Sequence, residues 1–161
     1  MGIFSKMTGE AGASPAFHRD RWPGILTSME IKHGVDEDGD CIADWDGARV
    51  FFEGRGEKAE ILVIRGIWDI RPPAEAYERL ALFTCKWNAD HLWPRAYVYR
   101  HDGDNECLVL GDLIIDGETG VSDEFLRQQV RCALSTIFEM FEEIGKAFPE
   151  HTGWRNIAVE D

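Results

Sequence analysis

The sequence lacks the features that mark several large classes of protein. No apolar run approaches the roughly 18 residues that a membrane-spanning helix needs. Positive charge is scarce, since 17 Lys and Arg stand against 30 Asp and Glu, and the formal charge of -13 repels nucleic-acid phosphates and anionic membranes. The four cysteines form no C-x-x-C pair, and no signal peptide precedes them, which favours reduced thiols. We therefore predict a cytoplasmic protein with no nucleic-acid or membrane partner.

The composition is that of one folded domain. Of the 161 residues, 44% are apolar, and six Trp and nine Phe supply more aromatic surface than a disordered chain carries. Residues 1–18 are rich in Gly, Ala and Ser and predict a flexible lead-in. Residues 19–149 form the predicted domain, and residues 150–161 form a C-terminal tail.

Hydrophobic periodicity predicts eight elements in the order α-β-β-β-α-β-β-α. Helices are predicted over residues 20–33, 73–88 and 122–148, and strands over residues 41–45, 48–53, 61–68, 95–101 and 106–115. The predicted fold class is α+β, a single antiparallel sheet with helices packed on one face. Residues 61–64 are apolar at every position, which predicts that both faces of their strand are covered.

Local signals fix several ends of these elements. The Asp-Gly dipeptide at positions 46–47, between two apolar runs, predicts a tight hairpin. In the second hairpin, the alternation of the two strands predicts that His101 pairs with Glu106. Ser122 is predicted to cap the final helix, and Asn88 to end the middle helix in the left-handed conformation.

The known sequence motifs for cofactors and metals fail at specific positions. Residues 36–47 carry the aspartates of a calcium loop, but the required glycine falls on Cys41 and the bidentate glutamate on Gly47. Residues 54–59 fit a G-x-G-x-x-A dinucleotide motif, yet they lead into a strand instead of the helix that would bind pyrophosphate. Four zinc-type ligands lack the usual spacing, and the predicted register places the last two on opposite faces of the sheet. These ligands are Cys85, His91, His101 and Cys107. We predict no metal site, no cofactor and no catalytic residue.

One segment carries a family resemblance. Residues 86–116, KWNADHLWPRAYVYRHDGDNECLVLGDLIID, with the Ser122-capped helix that follows, resemble the YbjN family of bacterial proteins. The likeness covers about residues 20–149 and rests on three dipeptides and the long final helix. The dipeptides are Trp87-Asn88, Trp93-Pro94 and Asp102-Gly103. The resemblance implies a fold like that of type III secretion chaperones and a label of sensory transduction regulator, with no established reaction.

These observations favour a non-enzymatic protein-binding module, chaperone-like or regulatory, with a role in stress or signal-transduction regulation and a tendency to form a homodimer. The final helix is predicted to bury one apolar stripe, formed by Leu126, Val130, Ala133, Leu134, Ile137, Phe141, Ile144 and Phe148. The apolar face of this helix is wide, because Phe138 lies about 90° from the centre of the stripe. Phe138 serves an interface or, alternatively, packs on the first helix or on Trp154. The candidate binding surface comprises Ile67, Trp68, Trp87, Asn88, Trp93 and Phe138.

Two other functions stay open at this point. The first is a small-molecule sensor whose aromatic pocket is formed by four tryptophans. These are Trp45, Trp68, Trp87 and Trp93, and packing in the core explains them equally well. The second is an enzyme whose site follows no recognised motif.

Overall fold

A computed structural model describes residues 13–156 of the chain. Its six-stranded antiparallel sheet has the order β1-β2-β3-β4-β7-β6, and a separate two-stranded ribbon pairs β5 with β8. In chain order the strands are β1 (Gly34–Val35), β2 (Cys41–Trp45), β3 (Ala48–Arg55), β4 (Ile61–Trp68), β5 (Ile70–Arg71), β6 (Arg95–Tyr99), β7 (Leu108–Asp116) and β8 (Arg155–Asn156). The predicted α+β class with one main antiparallel sheet is confirmed.

Three α-helices accompany the sheet. They are α1 (Trp22–Ser28), α2 (Tyr77–Asp90) and α3 (Asp123–Ala147). Short 3-10 turns precede α1 and α2, and another follows α3. Among the helices of the described residues, none combines the length and apolar character needed to cross a membrane.

The two predicted hairpins form in the predicted register. In the first, Trp45 lies opposite Ala48, and Gly47 takes a φ of 98°, a conformation that glycine adopts without steric cost. In the second, Tyr99 lies opposite Leu108. The ladder of paired residues ends here. The predicted pair of residues 101 and 106 has the same register as this ladder, but both residues lie beyond the ends of the strands.

The helices form one layer on one face of the sheet. The Trp22 ring of α1 lies edge-on to Phe52 of β3, with centroids 5.6 Å apart. From α2, Phe83 contacts Phe148, which caps the C-terminal end of α3, at 6.1 Å between ring centroids. The helices therefore pack against one another as well as against the strands.

The final helix lies across the centre of the sheet. A Cβ atom at Gly66 of β4 would collide with Ile137, and one at Gly111 of β7 would lie 2.8 Å from the Met140 side chain. Both glycines thus admit α3 to close contact with the strands. The predicted cap is confirmed, since the Ser122 hydroxyl accepts a hydrogen bond from the Phe125 N–H at 3.1 Å.

The stripe of α3 differs from the predicted one at two positions. Its buried residues are Leu126, Val130, Ala133, Ile137, Met140, Phe141 and Ile144. Leu134, which was expected in the stripe, is only half-buried, whereas Met140 is fully buried. Met140 is buried because it lies over Gly111, a contact between residues of distant elements.

The first two helices end at residues other than those predicted. The first ends at Ser28, well before residue 33, because the chain turns at Glu30 with a φ of 58°. The second continues through Asn88 to Asp90. Asn88 is helical, so its predicted left-handed conformation is wrong.

The predicted lead-in and tail both contribute to the packed domain. Phe17 is 2% exposed, donates its N–H to the Gly117 carbonyl at 2.9 Å and lies edge-on to Trp22. Trp154 lies edge-on to Trp68 at 6.2 Å between ring centroids. Phe17 and Trp154, which lie outside residues 19–149, therefore both pack against residues of the core. Residues 1–12 and 157–161 lie outside the described residues.

Among the described residues, helices cover only one of the two faces of β4 that were predicted to be covered. All three helices lie on one side of the sheet, against Leu62, Ile64 and the residues in line with them. Val63 points to the other side, where no described helix covers it, and is nevertheless 3% exposed. This second side is the open face of the sheet, and it is the candidate functional surface.

Candidate protein-binding face of the sheet

Alternation along the strands decides which side chains lie on the open face. Position 65 of β4 points away from the helices because positions 64 and 66 point towards them. The registers then assign the same face to Asp112 of β7, opposite Arg65, and to Arg95 of β6, opposite Asp112. Glu53 of β3 lies on this face too, diagonal to Arg65.

These four charged residues form a continuous row of ion pairs, which we call the ion row. Arg65 donates from Nε to Asp112 Oδ1 at 2.9 Å, and its Nη1 lies 3.2 Å from Glu53 Oε1. Arg95 donates to Asp112 Oδ2 at 2.7 Å. The ion row therefore joins four neighbouring strands through their side chains. Such charge-assisted hydrogen bonds, with Arg65 bidentate on Asp112, are the strong kind.

The middle of the ion row is buried although no described helix covers it. The Asp112 side chain is 0% exposed and that of Arg65 is 25% exposed. The Tyr97 hydroxyl also donates to Asp112 Oδ2 at 3.2 Å. Among the described residues, no buried side-chain nitrogen or oxygen lacks a hydrogen-bond partner. The carboxylates of the ion row are thus fully used in holding the sheet together.

The pKa values of the neighbouring groups reflect this pairing. The hydrogen bond to Asp112 raises the pKa of Arg65 above its usual value, against the opposing effect of burial. Burial, followed by the negative charge of Asp112, raises the pKa of Tyr97. The hydrogen bond to Glu53 raises the pKa of Arg55. Each shift favours the protonated form, so all three groups keep their protons at neutral pH.

Apolar side chains surround the ion row. Most are only half-buried, and Ile114 is 45% exposed. The apolar and aromatic residues of this face are Ile42, Phe51, Ile61, Val63, Ile67, Tyr97, Tyr99, Leu108, Leu110 and Ile114. A sheet face with this composition and no helix of residues 13–156 over it is a surface suited to contact with another protein.

The comparisons with known proteins concern the family and the fold. The family model YbjN, described as "Putative bacterial sensory transduction regulator", matches residues 19–146. The chain belongs to the YbjN family. The resemblance stated from residues 86–116 is thereby confirmed, and nothing in the family description indicates a catalytic activity.

A solved structure shares the fold of this YbjN-family chain. It is titled "Crystal structure of YbjN, a putative transcription regulator from E. coli", and it aligns with a TM-score of 0.71 at 16% sequence identity. The alignment covers 85% of this chain and 96% of that chain. At this identity the likeness shows the fold alone. A comparison with curated proteins found no match.

Two dipeptides of the YbjN likeness have a structural role here. Trp87, 5% exposed, donates from Nε1 to the Pro94 carbonyl at 3.2 Å. Asn88 accepts from the Ala96 N–H and donates to the Ala96 carbonyl, both at 2.8 Å. The side chain of Asn88 thus satisfies the backbone N–H and carbonyl of Ala96 in the edge strand β6, as a further strand would.

The six residues of the predicted binding surface do not form one surface. Ile67 is half-buried on the open face, and Trp93 is 49% exposed in the loop before β6. Trp68 and Trp87 are each 5% exposed and belong to the core, which corrects the prediction for these two. The side chain of Asn88 is used by β6.

Phe138 packs on a residue that the sequence did not suggest. Its half-buried ring lies edge-on to Trp45 of β2, with centroids 6.0 Å apart. Neither the first helix nor Trp154 is the partner in this contact. The ring contact with β2 accounts for the wide apolar face of α3.

The predicted aromatic pocket is not formed by the described residues. Trp45 lines a cleft with Arg49 and Asp69, whereas Trp87 lines a separate cleft between α2 and α3. Trp68 is stacked on Phe141 in the core. The four tryptophans therefore do not converge.

The four zinc-type ligands do not meet in the structure. Within residues 13–156, no group of three or more His, Cys, Asp or Glu side chains is placed to hold a metal ion. The four cysteines all lie in this part of the chain and are unpaired.

Sequence reasoning missed the ion row, although a signal for it was present. Each of its members interrupts or ends an apolar strand, as Arg65 does in ILVIRGIW and Asp112 does in LVLGDLIID. A charge at the centre of an apolar strand is costly unless it is paired. The pairing partners lie up to 47 positions apart in the chain, and the order of the strands alone brings them together.

Proposed function

We propose that this chain is a non-enzymatic regulatory module that acts in the cytoplasm by binding protein, and that the open face of its sheet is the binding surface. The observation that carries the proposal is the composition of this face. It combines half-buried apolar side chains with charges that are already paired, and no described helix lies over it.

The charge of the open face supports protein binding. Its strands carry four arginines and four carboxylates, so it is neutral in a chain whose formal charge is -13. The arginines are Arg49, Arg55, Arg65 and Arg95, and the carboxylates are Asp44, Glu53, Asp112 and Asp116. A neutral apolar surface avoids the repulsion that the rest of the molecule exerts on acidic proteins.

The margins of the ion row offer groups that a partner can recognise. The side chains of Arg55 and Arg95 are 55% and 60% exposed, although each is paired on one side. Their remaining N–H groups can donate to carboxylates of a partner and thereby fix its orientation. The apolar residues around them supply the desolvation that favours association.

A second copy of the chain is the occupant that the charges favour. Two copies of charge -13 repel each other over most of their surface, and the neutral open face is where this repulsion is smallest. The face also carries both signs, so a two-fold axis can bring arginines of one copy near carboxylates of the other. Six strands about 4.8 Å apart, each with about five residues, present roughly 500 Å² per copy. The total of about 1,000 Å² is typical of a weak, reversible dimer.

The test compares two exposed apolar residues on different surfaces. Ile114 lies on the open face, and Leu82 lies on α2 with an exposed fraction of 73%. We expect the parent protein to form a concentration-dependent dimer in analytical ultracentrifugation and light scattering. Ile114→Asp should abolish this dimer, and Leu82→Asp should leave it unchanged. Both variants should keep the circular dichroism spectrum of the parent protein.

Two results would contradict the proposal. A single 18.3 kDa species at every accessible concentration, with no protein captured selectively by the parent over Ile114→Asp, would show that the open face binds nothing. Equal loss of association in Leu82→Asp and Ile114→Asp would place the interface elsewhere. If the protein is monomeric and selectively captures another protein, the open face is still the binding surface, but its partner is not a second copy of the chain.

A further inference from the structure

Most arginines of this protein pair with a carboxylate, but two do not pair with any carboxylate of the described residues. All twelve arginines of the chain lie within residues 13–156, and ten of them form an ion pair with an Asp or Glu. The two that pair with no carboxylate of the described residues are Arg71 and Arg100. In a chain with an excess of 13 negative charges, an arginine without such a partner is unexpected.

These two arginines line the same cleft. The cleft has a volume of about 360 Å³ and lies between the ribbon of β5 and β8 and the end of the hairpin of β6 and β7. Arg155 and His101 also line it, and so do two carboxylates, Asp104 and Glu106. Three arginines therefore face two carboxylates, which makes this cleft locally cationic.

The backbone forces two of these cations together. Arg71 of β5 lies directly opposite Arg155 of β8 in the two-stranded ribbon. Like charges in directly opposed positions destabilise an antiparallel pair. Arg155 is compensated by an ion pair with Glu106, whereas Arg71 is not. An anion in the cleft would relieve this repulsion.

Arg100 is also placed to bind an anion in the cleft. Its guanidinium carbon lies 5.4 Å from the centroid of the Tyr77 ring, so the aromatic face holds the side chain without neutralising its charge. Tyr99, 50% exposed, lines the cleft beside it. The cleft thus combines cationic donors with an accessible aromatic ring.

We propose that this cleft binds a small metabolite that carries a phosphate or diphosphate group. Arg71 and Arg100 donate to the phosphate oxygens, a geometry that the planar guanidinium group matches with two parallel hydrogen bonds. Tyr99 packs against the organic part of the ligand. The volume lies in the range of small-molecule sites. Tyr99 and Leu108 belong both to the cleft and to the margin of the open face, but the site rests on Arg71 and Arg100 and does not depend on the proposed protein-binding function.

Inorganic pyrophosphate is the probe for the test, with the full chain titrated by isothermal calorimetry at low ionic strength. We expect saturable binding at one site, weakened by added salt because salt screens the attraction between the cleft arginines and the anion. Arg71→Gln and Arg100→Gln should each raise the dissociation constant about tenfold or more, since each removes a charged donor. Arg131→Gln is the control, because Arg131 pairs with Glu124 on the surface of α3, and should leave the constant unchanged.

A map of amide chemical shifts on the unaltered chain gives a readout that requires no variant to fold. Shifts that saturate at the amides of Arg71, Tyr99 and Arg100 support the site. Shifts spread over the whole surface, absence of saturation, or an equal loss of affinity in Arg131→Gln would overturn it. Sulfate added at matched ionic strength should compete only weakly, and equal competition by chloride would show general screening instead of a site.

Discussion

On the face of the sheet that the helices cover, the central cross-strand pair is Gly66 of β4 and Gly111 of β7. The next pair along the same two strands, on the open face, is Arg65 and Asp112. The glycines leave room for α3 to approach, whereas the ion pair fills its own face and satisfies its own charges. One face is therefore stabilised by the close approach of a helix and the other by side-chain ion pairs within the sheet.

The largest expected effect on stability comes from an Ile→Asp substitution under the helix layer, compared with the same substitution on the open face. Ile137 of α3 lies over Gly66 and is 0% exposed. Ile137→Asp should therefore lower the free energy of unfolding by more than about 5 kcal/mol. The loss of packing costs roughly 2 to 5 kcal/mol, and the unpaired buried carboxylate adds to it. This approaches the whole stability of a typical domain, and we expect an unfolded or insoluble protein. Ile114→Asp should change the free energy of unfolding by less than about 1 kcal/mol in urea titrations followed by circular dichroism. If both variants unfold, the open face is part of the core.

The next effect concerns the ion row itself. Asp112→Asn keeps the shape of the side chain but leaves the charges of Arg65 and Arg95 without their main partner. Removal of one member of a buried ion pair costs about 3 to 5 kcal/mol, and we expect a loss near 3 kcal/mol in urea. The control is Asp44→Asn, where an exposed pair with Arg49 is worth at most about 1 kcal/mol. Equal effects of the two changes would show that the burial of Asp112 contributes nothing.

The pH dependence of the free energy of unfolding allows a comparison of the two faces, because each face carries a group with a raised pKa. Burial, reinforced by Asp40 and Asp36, raises the pKa of the Cys41 thiol on the helix-covered face to about 11 from 9.0. Above pH 9 the unfolded chain releases this proton while the folded chain keeps it, so the free energy of unfolding should fall by about 2 kcal/mol between pH 9 and 11. Cys41→Ala should remove most of this fall.

Two variants serve as references in the same pH series. Cys85 is exposed, so Cys85→Ala should leave the fall between pH 9 and 11 as it is in the parent. Tyr97 on the open face also has a raised pKa, so Tyr97→Phe should reduce only the part of the fall that lies above pH 10. A parent protein whose stability is constant from pH 8 to 11 would contradict the burial of both groups.

The smallest effect is expected at the edge where the two faces meet. Asn88→Ala removes both hydrogen bonds to Ala96 and should cost about 1 to 2 kcal/mol. Hydrogen exchange of the Ala96 amide should accelerate, and the exposed edge of β6 should promote aggregation on storage. Asn105→Ala is the matched control, because Asn105 contributes its backbone carbonyl to Ala74. An unchanged exchange rate at Ala96 would show that the side chain of Asn88 does not protect the strand.

The parts of this protein that depend on near neighbours in the chain could be predicted from the sequence. The Ser122 cap, the hairpin at residues 46–47 and the register that sets Tyr99 opposite Leu108 follow from turn chemistry and alternation, which act over a few residues. The family resemblance in residues 86–116 belongs to the same class, since its Trp-Asn pair holds a strand only eight residues away.

Features that depend on contacts between distant segments could not be predicted and emerge only in the folded chain. Glu53, Arg65 and Asp112 become one ion row only because β4 pairs with β3 on one side and with β7, which follows a helix and another strand, on the other. Phe17 joins the core through Gly117, a hundred positions away. Which face of β4 stays open was equally undetermined, because both faces of its sequence are apolar near Ile64. Side-chain alternation gives each strand two faces, and only the packing of α3 on one of them distinguishes core from surface.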